Sequence, residues 1–457
     1  MRRMIAKLLV KYSDNGKDTA ELLSGTAVAI ALKITGIGLS YVFLYLLSKK
    51  FGPELVGVFS LSQSALIVCT MIGTFGFGNA IVRYSAQYAS KGQWDILASV
   101  YKTMFIATAG ISVVLAVLLF SLSEVLAVSL LKNRELAIAF KIIAVAIPFS
   151  ALSMLNTEAI RGLKKIKISE FFRTVNISFW NLALFVFFAL AGGTSLILPV
   201  ATYAGAVFIT FVFSTLFWFS RAGEKNSSLE AAGMLSLKEL LQVSFPMFLT
   251  ALLQLLMEYT GVFLLGAFST ANEVGIYSIA VRLAMVTSFI LIAVNTIIAP
   301  KFAELYWNNR GDDLKNIVSF SSRIIFWSSV PILAVLIAFP HFFMGLFGAE
   351  FSGSRAQLSL IILCIGQIVN ALSGSVGYFL IMTGGQRVFR NIVFFSALLN
   401  ILLNVVLIPR LGMIGASLAT TSSLICWNIT SLLYIRAKYG INTFYLPLLG
   451  RRLEAAQ

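Results

Sequence analysis

The stretch Val56–Val68, VGVFSLSQSALIV, recurs at Val274–Val286 as VGIYSIAVRLAMV, displaced by 218 residues. Both stretches lie in apolar runs long enough to cross a bilayer, which takes on the order of 20 residues. A second pair, GLKK from Gly162 and GGQR from Gly384, is displaced by 222 residues. Two matches at nearly equal displacement indicate that a unit of the chain was duplicated.

The composition places the whole chain in a membrane. Of 457 residues, 58% are hydrophobic and 12% are charged, whereas soluble domains carry about 25% charged residues. We predict about twelve spans, numbered in chain order: 25–48, 57–80, 103–123, 136–158, 174–192, 196–219, 241–267, 275–299, 324–346, 358–383, 391–409 and 413–435. These continuous runs predict an all-α polytopic fold, because barrel strands would alternate apolar and polar residues.

Lysine and arginine predict the orientation. Of the 35 such residues, 26 lie in the two terminal segments and in alternate connections, 81–102, 159–173, 220–240, 300–323 and 384–390. We call the side with these connections the basic side, and the other the opposite side. The positive-inside rule predicts that the basic side is cytoplasmic, with both termini there, in a multi-pass protein of the plasma membrane. This distribution explains the net charge of +16, so we expect anionic membrane lipids as partners and no nucleic acid.

The repeat divides the chain into domains. Each half holds an even number of spans, so both halves start on the same side and form a parallel repeat about an axis along the membrane normal. The predicted parts are an amphipathic cytoplasmic segment 1–24, an N-lobe 25–219, a linker 220–240, a C-lobe 241–435 and a cytoplasmic tail 436–457. We expect a cavity between the lobes.

Polar residues at helical spacing predict which faces line that cavity. On span 7 they recur every fourth residue, which places them on one face. Span 1 has a similar row, and span 10 contributes two amides. The rows are Gln242, Pro246, Thr250, Gln254 and Glu258; Thr26, Lys33 and Ser40; and Gln367 and Asn370. We expect Gln254 and Asn370 to bind substrate, although hydrogen bonding between helices is the alternative for each amide.

Three cations remain inside spans: Lys33, Lys141 and Arg282. Lys141 is close enough to the end of span 4 to reach the surface, so we assign it no role. Arg282 lies at a depth similar to that of Glu258. Arg282 either binds substrate or pairs with Glu258, a carboxylate deep in a span and therefore our candidate for coupling transport to H+ or Na+.

Lys33 is the strongest candidate for binding an anionic substrate. It lies about eight residues, or ~12 Å, inside span 1, and we expect no acidic residue at its depth in the N-lobe. Gly36 and Gly38 follow it and are expected to leave room for a ligand beside the ammonium group.

Four more cations lie at the rim of the basic side in repeat-related positions. Arg83 corresponds to Lys301, and Lys165 corresponds to Arg387. We expect them to attract an anionic substrate, although ordinary positive-inside charge is the alternative.

Together with the repeat, FGPELVGVFSLSQS at 51–64, AIRGLKKIKISEFFRTVNIS at 159–178 and PRLGMIGASLATTSS at 409–423 make the chain resemble polysaccharide transporters. These belong to the multidrug/oligosaccharidyl-lipid/polysaccharide (MOP) exporter superfamily, which includes O-antigen and oligosaccharide flippases. The resemblance covers roughly residues 20–440 and implies a MATE-like fold. It implies that the chain flips a polyprenyl-pyrophosphate-linked oligosaccharide to the outer leaflet by secondary transport.

Other functions stay open at this stage. A multidrug or cation antiporter would place acidic residues where Lys33 lies, and a lipid II-type flippase typically has two additional helices. A membrane glycosyltransferase would carry a larger outer loop than 124–135. We expect no enzyme activity, metal or cofactor, because one histidine and three scattered cysteines make no metal site. We expect a monomer, which could associate with polysaccharide assembly proteins.

Overall fold

The computed structural model describes residues 16–193, 195–222 and 237–447, without the side chains of 16–27, 221–222, 237–238, 243, 246 and 250. In this part of the chain, eleven helices are long and apolar enough to cross a membrane. The first of them, Gly16–Thr74, contains predicted spans 1 and 2, which meet at a kink where Gly52 has a φ of 74° and Pro53 follows. The all-α polytopic fold and about twelve spans are therefore confirmed.

The remaining spans follow as separate helices, several of them interrupted. Their bounds are Phe77–Ser90, which extends span 2; Trp94–Glu124 with a π-helix Val125–Leu130; Glu135–Gly162; Ile166–Glu170 with a π-helix Phe171–Asn176 and Ile177–Leu190; Leu198–Ala222; Leu237–Phe268; Ala271–Met285 and Ser288–Trp307; Gly311–Ala338; Ser354–Ser373 and Val376–Met382; Gln386–Leu411; and Met413–Tyr439. Span 9, predicted at 324–346, is the helix Gly311–Ala338, and the short helices Pro340–Gly345 and Ala349–Ser352 connect it to span 10.

Two of the breaks within spans occur where the backbone leaves the helical region. Span 2 is broken at Phe75 and Gly76, whose φ angles are 44° and 76°. Span 10 is broken at Gly374, with a φ of 70°. Left-handed conformations cost little at glycine, because it has no Cβ atom. Span 8, predicted as one helix, is divided between Met285 and Ser288.

Three hydrophobic clusters form the core, and their distribution differs between the two sides of the membrane. On the opposite side, one cluster contains residues of both lobes, such as Phe43 and Phe59 together with Leu265 and Tyr277. On the basic side, the described residues form two further clusters: a C-lobe cluster, and an N-lobe cluster that also includes Leu240 and Leu241 at the start of span 7. Most of the core that the two lobes share therefore lies on the opposite side.

The repeated stretches meet each other at the centre of the shared core. A Cβ atom at Gly57 would lie 1.8 Å from the Ala271 carbonyl oxygen, and one at Gly275 would lie 1.9 Å from the Pro53 carbonyl oxygen. Residues 53 and 57 correspond to 271 and 275 at the displacement of 218. The two contacts are therefore equivalent under the repeat, as a two-fold axis through this crossing would require. The superposition of whole lobes stays a prediction.

The lobes also touch on the basic side, between the break in span 2 and the start of span 7. The Phe75 and Phe248 rings stack with their centroids 4.8 Å apart. A Cβ atom at Gly76 would lie 2.4 Å from the Ser244 carbonyl oxygen. Span 7 of the C-lobe is thereby fastened to the N-lobe.

The predicted terminal segments and the linker lie partly outside the described residues, which exclude 1–15, 223–236 and 448–457. From Gly16 the amphipathic segment is helical and continuous with span 1. The start of the tail packs against the C-lobe, where the Tyr445 amide donates to the Leu372 carbonyl at 3.0 Å. The Tyr445 ring contacts Phe326, with centroids 5.4 Å apart.

Candidate functional site

Lys33 lies half-buried on span 1, and the two glycines after it have different surroundings. A Cβ atom at Gly38 would have nothing within 4 Å, so there is open space at that position. A Cβ atom at Gly36 would lie 2.7 Å from the backbone of Thr174. The prediction that both glycines leave room for a ligand is therefore wrong for Gly36, which instead allows spans 1 and 5 to pack closely.

A group of paired charged residues lies near Lys33. Arg173 donates to Glu158 at 3.0 Å and to Glu170 at 2.9 Å, and Arg161 pairs with Glu158 at 2.8 Å. Both carboxylate residues are buried, with 4% and 8% of their surfaces exposed. Lys33 lies within electrostatic range of Arg173 and Glu170. We call these five residues the N-lobe charge cluster.

The expectation that Lys33 has no acidic residue at its depth is wrong. Span 5 begins at Ile166 and continues through the π-helix Phe171–Asn176, so Glu170 and Arg173 belong to the span and not to a connection. The close contact at Gly36 brings this part of span 5 beside Lys33. The cluster holds three cations and two carboxylates, which leaves one positive charge without an anionic counterpart inside the cluster.

Arg282 extends from the C-lobe to the N-lobe. Its Nη2 donates to Gln63 Oε1 on span 2 at 2.5 Å, and its carbonyl oxygen accepts from the Tyr41 hydroxyl on span 1 at 2.5 Å. The alternative that Arg282 pairs directly with Glu258 is wrong, because the ion pairs between described residues do not include this one. Arg282 instead bridges the two lobes.

Glu258 and three tyrosines surround Arg282 at longer range. The side chains of Glu258 and Tyr259 lie within hydrogen-bonding distance of each other, and so do those of Tyr203 and Gln63. Arg282 lies within electrostatic range of all of these ionisable groups and of Tyr41. The Glu258 side chain is exposed on the protein surface, and the Tyr259 side chain lies beside it.

Sequence reasoning missed these tyrosines and Gln63, although the repeat contains a signal for two of them. Tyr41 and Tyr259 correspond at the displacement of 218, and both lie near Arg282. Gln63 and Tyr203 have no such signal, because their partners depend on how spans 2 and 6 are rotated.

The polar row on span 7 is accessible where its side chains are described. Gln242, Gln254 and Glu258 are all exposed. Pro246 and Thr250 fall on side chains outside the described set. Gln254 therefore lies one helical turn from Glu258 on the same accessible face.

Asn370 has contacts that favour a role in helix packing. It is buried, and its Nδ2 donates to Gln367 Oε1 at 3.3 Å. The same oxygen accepts from Ser288 on span 8 at 3.2 Å. These bonds connect spans 8 and 10, as expected for the alternative of hydrogen bonding between helices.

The four rim cations have different surroundings. Arg83 and Arg387 are exposed. Lys301 contacts both carboxylate oxygens of Glu304, at 2.7 and 2.8 Å. Lys165 Nζ lies 5.6 Å from the centroid of the Phe217 ring, on the surface that spans 5 and 6 form.

Comparisons with known proteins agree with this architecture. The profile of a family described as "Polysaccharide biosynthesis protein" matches residues 22–306, and the MatE profile matches residues 246–406. The chain is similar to the probable low-salt glycan biosynthesis flippase Agl15 of Haloferax volcanii, with 22% identity over 85% of this chain and 78% of that protein.

Two solved structures share the fold. An inward-facing multidrug resistance MATE family transporter of the MOP superfamily superposes with a TM-score of 0.71, at 15% identity, covering 91% of this chain and 98% of the other. The lipid II flippase MurJ in its inward closed conformation gives a TM-score of 0.72, at 15% identity, covering 91% and 87%.

Proposed function

Because the chain belongs to the polysaccharide biosynthesis protein family and is a MOP-superfamily transporter rather than an enzyme, we propose that it flips a polyprenyl-pyrophosphate-linked oligosaccharide. Movement is from the cytoplasmic to the outer leaflet by alternating access. The similarity to a probable glycan biosynthesis flippase supports the substrate class. The orientation follows from the basic side being cytoplasmic.

The observation that carries this proposal is the excess positive charge beside Lys33. A pyrophosphate carries at least two negative charges, and arginine and lysine bind phosphate through charge-assisted hydrogen bonds. Lys33 and Arg173 lie together in the N-lobe charge cluster, with open space at Gly38 one to two turns away. In this proposal the lipid pyrophosphate supplies the anion that the cluster lacks.

The distribution of the core supports access from the cytoplasm. The lobes share one large hydrophobic cluster on the opposite side, whereas on the basic side the described core residues that join the lobes are confined to the start of span 7. The lipid-linked unit would enter from the basic side and leave after the shared core has opened.

We further propose that Glu258 couples transport to H+ or Na+. It is accessible, and its charge acts on Arg282, which bridges the lobes through Gln63. Binding of a cation at Glu258 would weaken the attraction between Glu258 and Arg282. Such a change at the point where the lobes meet is a direct route from ion binding to lobe movement.

The test compares Lys33→Ala and Lys33→Arg in proteoliposomes that contain a polyprenyl-pyrophosphate-linked sugar, with transport followed by a membrane-impermeant sugar oxidant. Lys141→Ala is the matched control, since Lys141 is also in a span but pairs with Glu124 at 2.8 Å. Charge-assisted hydrogen bonds contribute about 1.5–3 kcal/mol, so we expect Lys33→Ala to lose about 10- to 100-fold, and Lys33→Arg to retain part of the activity.

Two outcomes would contradict the proposal at different levels. Full activity of Lys33→Ala would exclude the pyrophosphate role of Lys33. Absence of flipping by the wild-type protein would exclude the substrate class.

A second function, export of cationic drugs, is favoured by the MatE match over residues 246–406 and by the carboxylate of Glu258. The cations of the N-lobe charge cluster oppose it. Proton-driven uptake of a cationic dye by the same proteoliposomes would support this second function.

A further inference from the structure

Spans 5 and 6 enclose a groove on the surface of the N-lobe, away from the cavity. Its volume is about 610 Å³, and aromatic side chains dominate its lining, which includes Phe171, Phe179, Trp180, Phe213 and Phe217. The helices that pack extensively against spans 5 and 6, within the described residues, all belong to the N-lobe. The groove therefore faces the bilayer.

The groove lies at the depth of the leaflet on the basic side. Span 5 begins at Ile166, and its lining residues run from Phe171 to Trp180. At 1.5 Å per residue they lie about 7 to 21 Å along the helix from its start. Half of the hydrocarbon core is about 15 Å thick, so along span 5 the groove begins partway into that leaflet and reaches the bilayer midplane. No water fills an apolar groove at this depth, and a lipid chain is its natural occupant.

The mouth of the groove carries positive charge. Lys165 Nζ lies 5.6 Å from the centroid of Phe217, a lining residue. Lys164, on the same short connection, and Lys167, in the first turn of span 5, are exposed. An ammonium group at the end of an apolar groove matches a lipid that carries a negative phosphate above its chains.

We propose that this groove is a binding site for an anionic phospholipid of the cytoplasmic leaflet. A phospholipid is favoured over the prenyl tail of a substrate because the groove opens on bilayer lipid and not between the lobes. Its wall includes part of the π-helix Phe171–Asn176. The same π-helix carries Arg173 of the N-lobe charge cluster and packs against Gly36. A bound lipid would therefore brace the segment that positions Arg173 beside Lys33.

The test is native mass spectrometry of the delipidated full-length protein, titrated with phosphatidylglycerol or with zwitterionic phosphatidylcholine. We expect one phosphatidylglycerol to bind more tightly than phosphatidylcholine. Lys165→Gln should weaken phosphatidylglycerol binding about fivefold, since one lysine near an anionic surface contributes about that factor, and should leave phosphatidylcholine unchanged. Trp180→Ala should weaken both. Phe188→Ala is the matched control, because Phe188 is an exposed aromatic residue of span 5 outside the groove.

Three results would overturn the proposal. The first is equal affinity for the two phospholipids in the wild type. The second is unchanged phosphatidylglycerol binding in Lys165→Gln, with circular dichroism showing that this variant is folded. The third is displacement of phosphatidylglycerol by an equal concentration of polyprenyl phosphate, which would assign the groove to the substrate's tail.

Discussion

Adding one methyl group where spans 2 and 8 cross should force the two lobes apart. In Gly57→Ala the new Cβ atom would lie 1.8 Å from the Ala271 carbonyl oxygen, whereas ordinary contacts begin at 3.4 Å. At this crossing, spans 2 and 8 would have to move apart until the Cβ–oxygen distance reaches an ordinary contact. Both sides of the contact are helix backbone, which cannot move aside as a side chain can.

The expected cost follows from overpacking, which typically amounts to about 1–3 kcal/mol. That energy would be added to the state in which the lobes share a core, and not to a state in which they have separated on the opposite side. A difference of this size changes the ratio of two states by about 5- to 150-fold. Gly275→Ala should have the same effect, because its Cβ atom would lie 1.9 Å from the Pro53 carbonyl oxygen.

The assay measures labelling of Ser278→Cys by a water-soluble maleimide, in a background without the three native cysteines. Ser278 is buried near the crossing, with 6% of its surface exposed, so separation of the lobes should raise its labelling rate at least fivefold. Gly38→Ala is the matched control, since a Cβ atom there would have nothing within 4 Å. Equal labelling in Gly57→Ala and Gly38→Ala would refute the reasoning.

Two further predictions concern charge. Glu258→Gln should fold but should lose the dependence of transport on an H+ or Na+ gradient, measured in proteoliposomes with and without the gradient. If Glu258→Gln unfolds the protein and adding Arg282→Gln restores folding, Glu258 has a structural role instead. Replacing both Arg83 and Lys301 by Gln should slow transport severalfold at low salt and less at high salt, because salt screens the long-range attraction between cations and an anionic substrate. The control is Lys315→Gln, because Lys315 is an exposed lysine on the same side. If the double variant transports as fast as this control, Arg83 and Lys301 only contribute to the positive-inside charge.

The sequence alone was sufficient for the fold class, because length and apolarity of a segment decide whether it crosses a bilayer. It also predicted the correspondence of residues 56–68 with 274–286, which the structure brings into direct contact at Gly57 and Gly275. The irregular features were less predictable. The divided span 8 and the π-helix of span 5 leave no clear pattern in an apolar segment, since hydropathy does not report backbone hydrogen bonding.

The candidate site shows the same division. The sequence alone determined that Lys33, Glu258 and Arg282 lie inside spans, because a charge in an apolar run is visible in one dimension. Only the tertiary structure decided their partners. In the structure, Arg173 and Glu170 lie within electrostatic range of Lys33, and Arg282 donates a hydrogen bond to Gln63 rather than pairing with Glu258. The physical reason is that depth follows from position along a helix, whereas a partner depends on the rotation and close approach of helices distant in sequence, which small residues such as Gly36 permit.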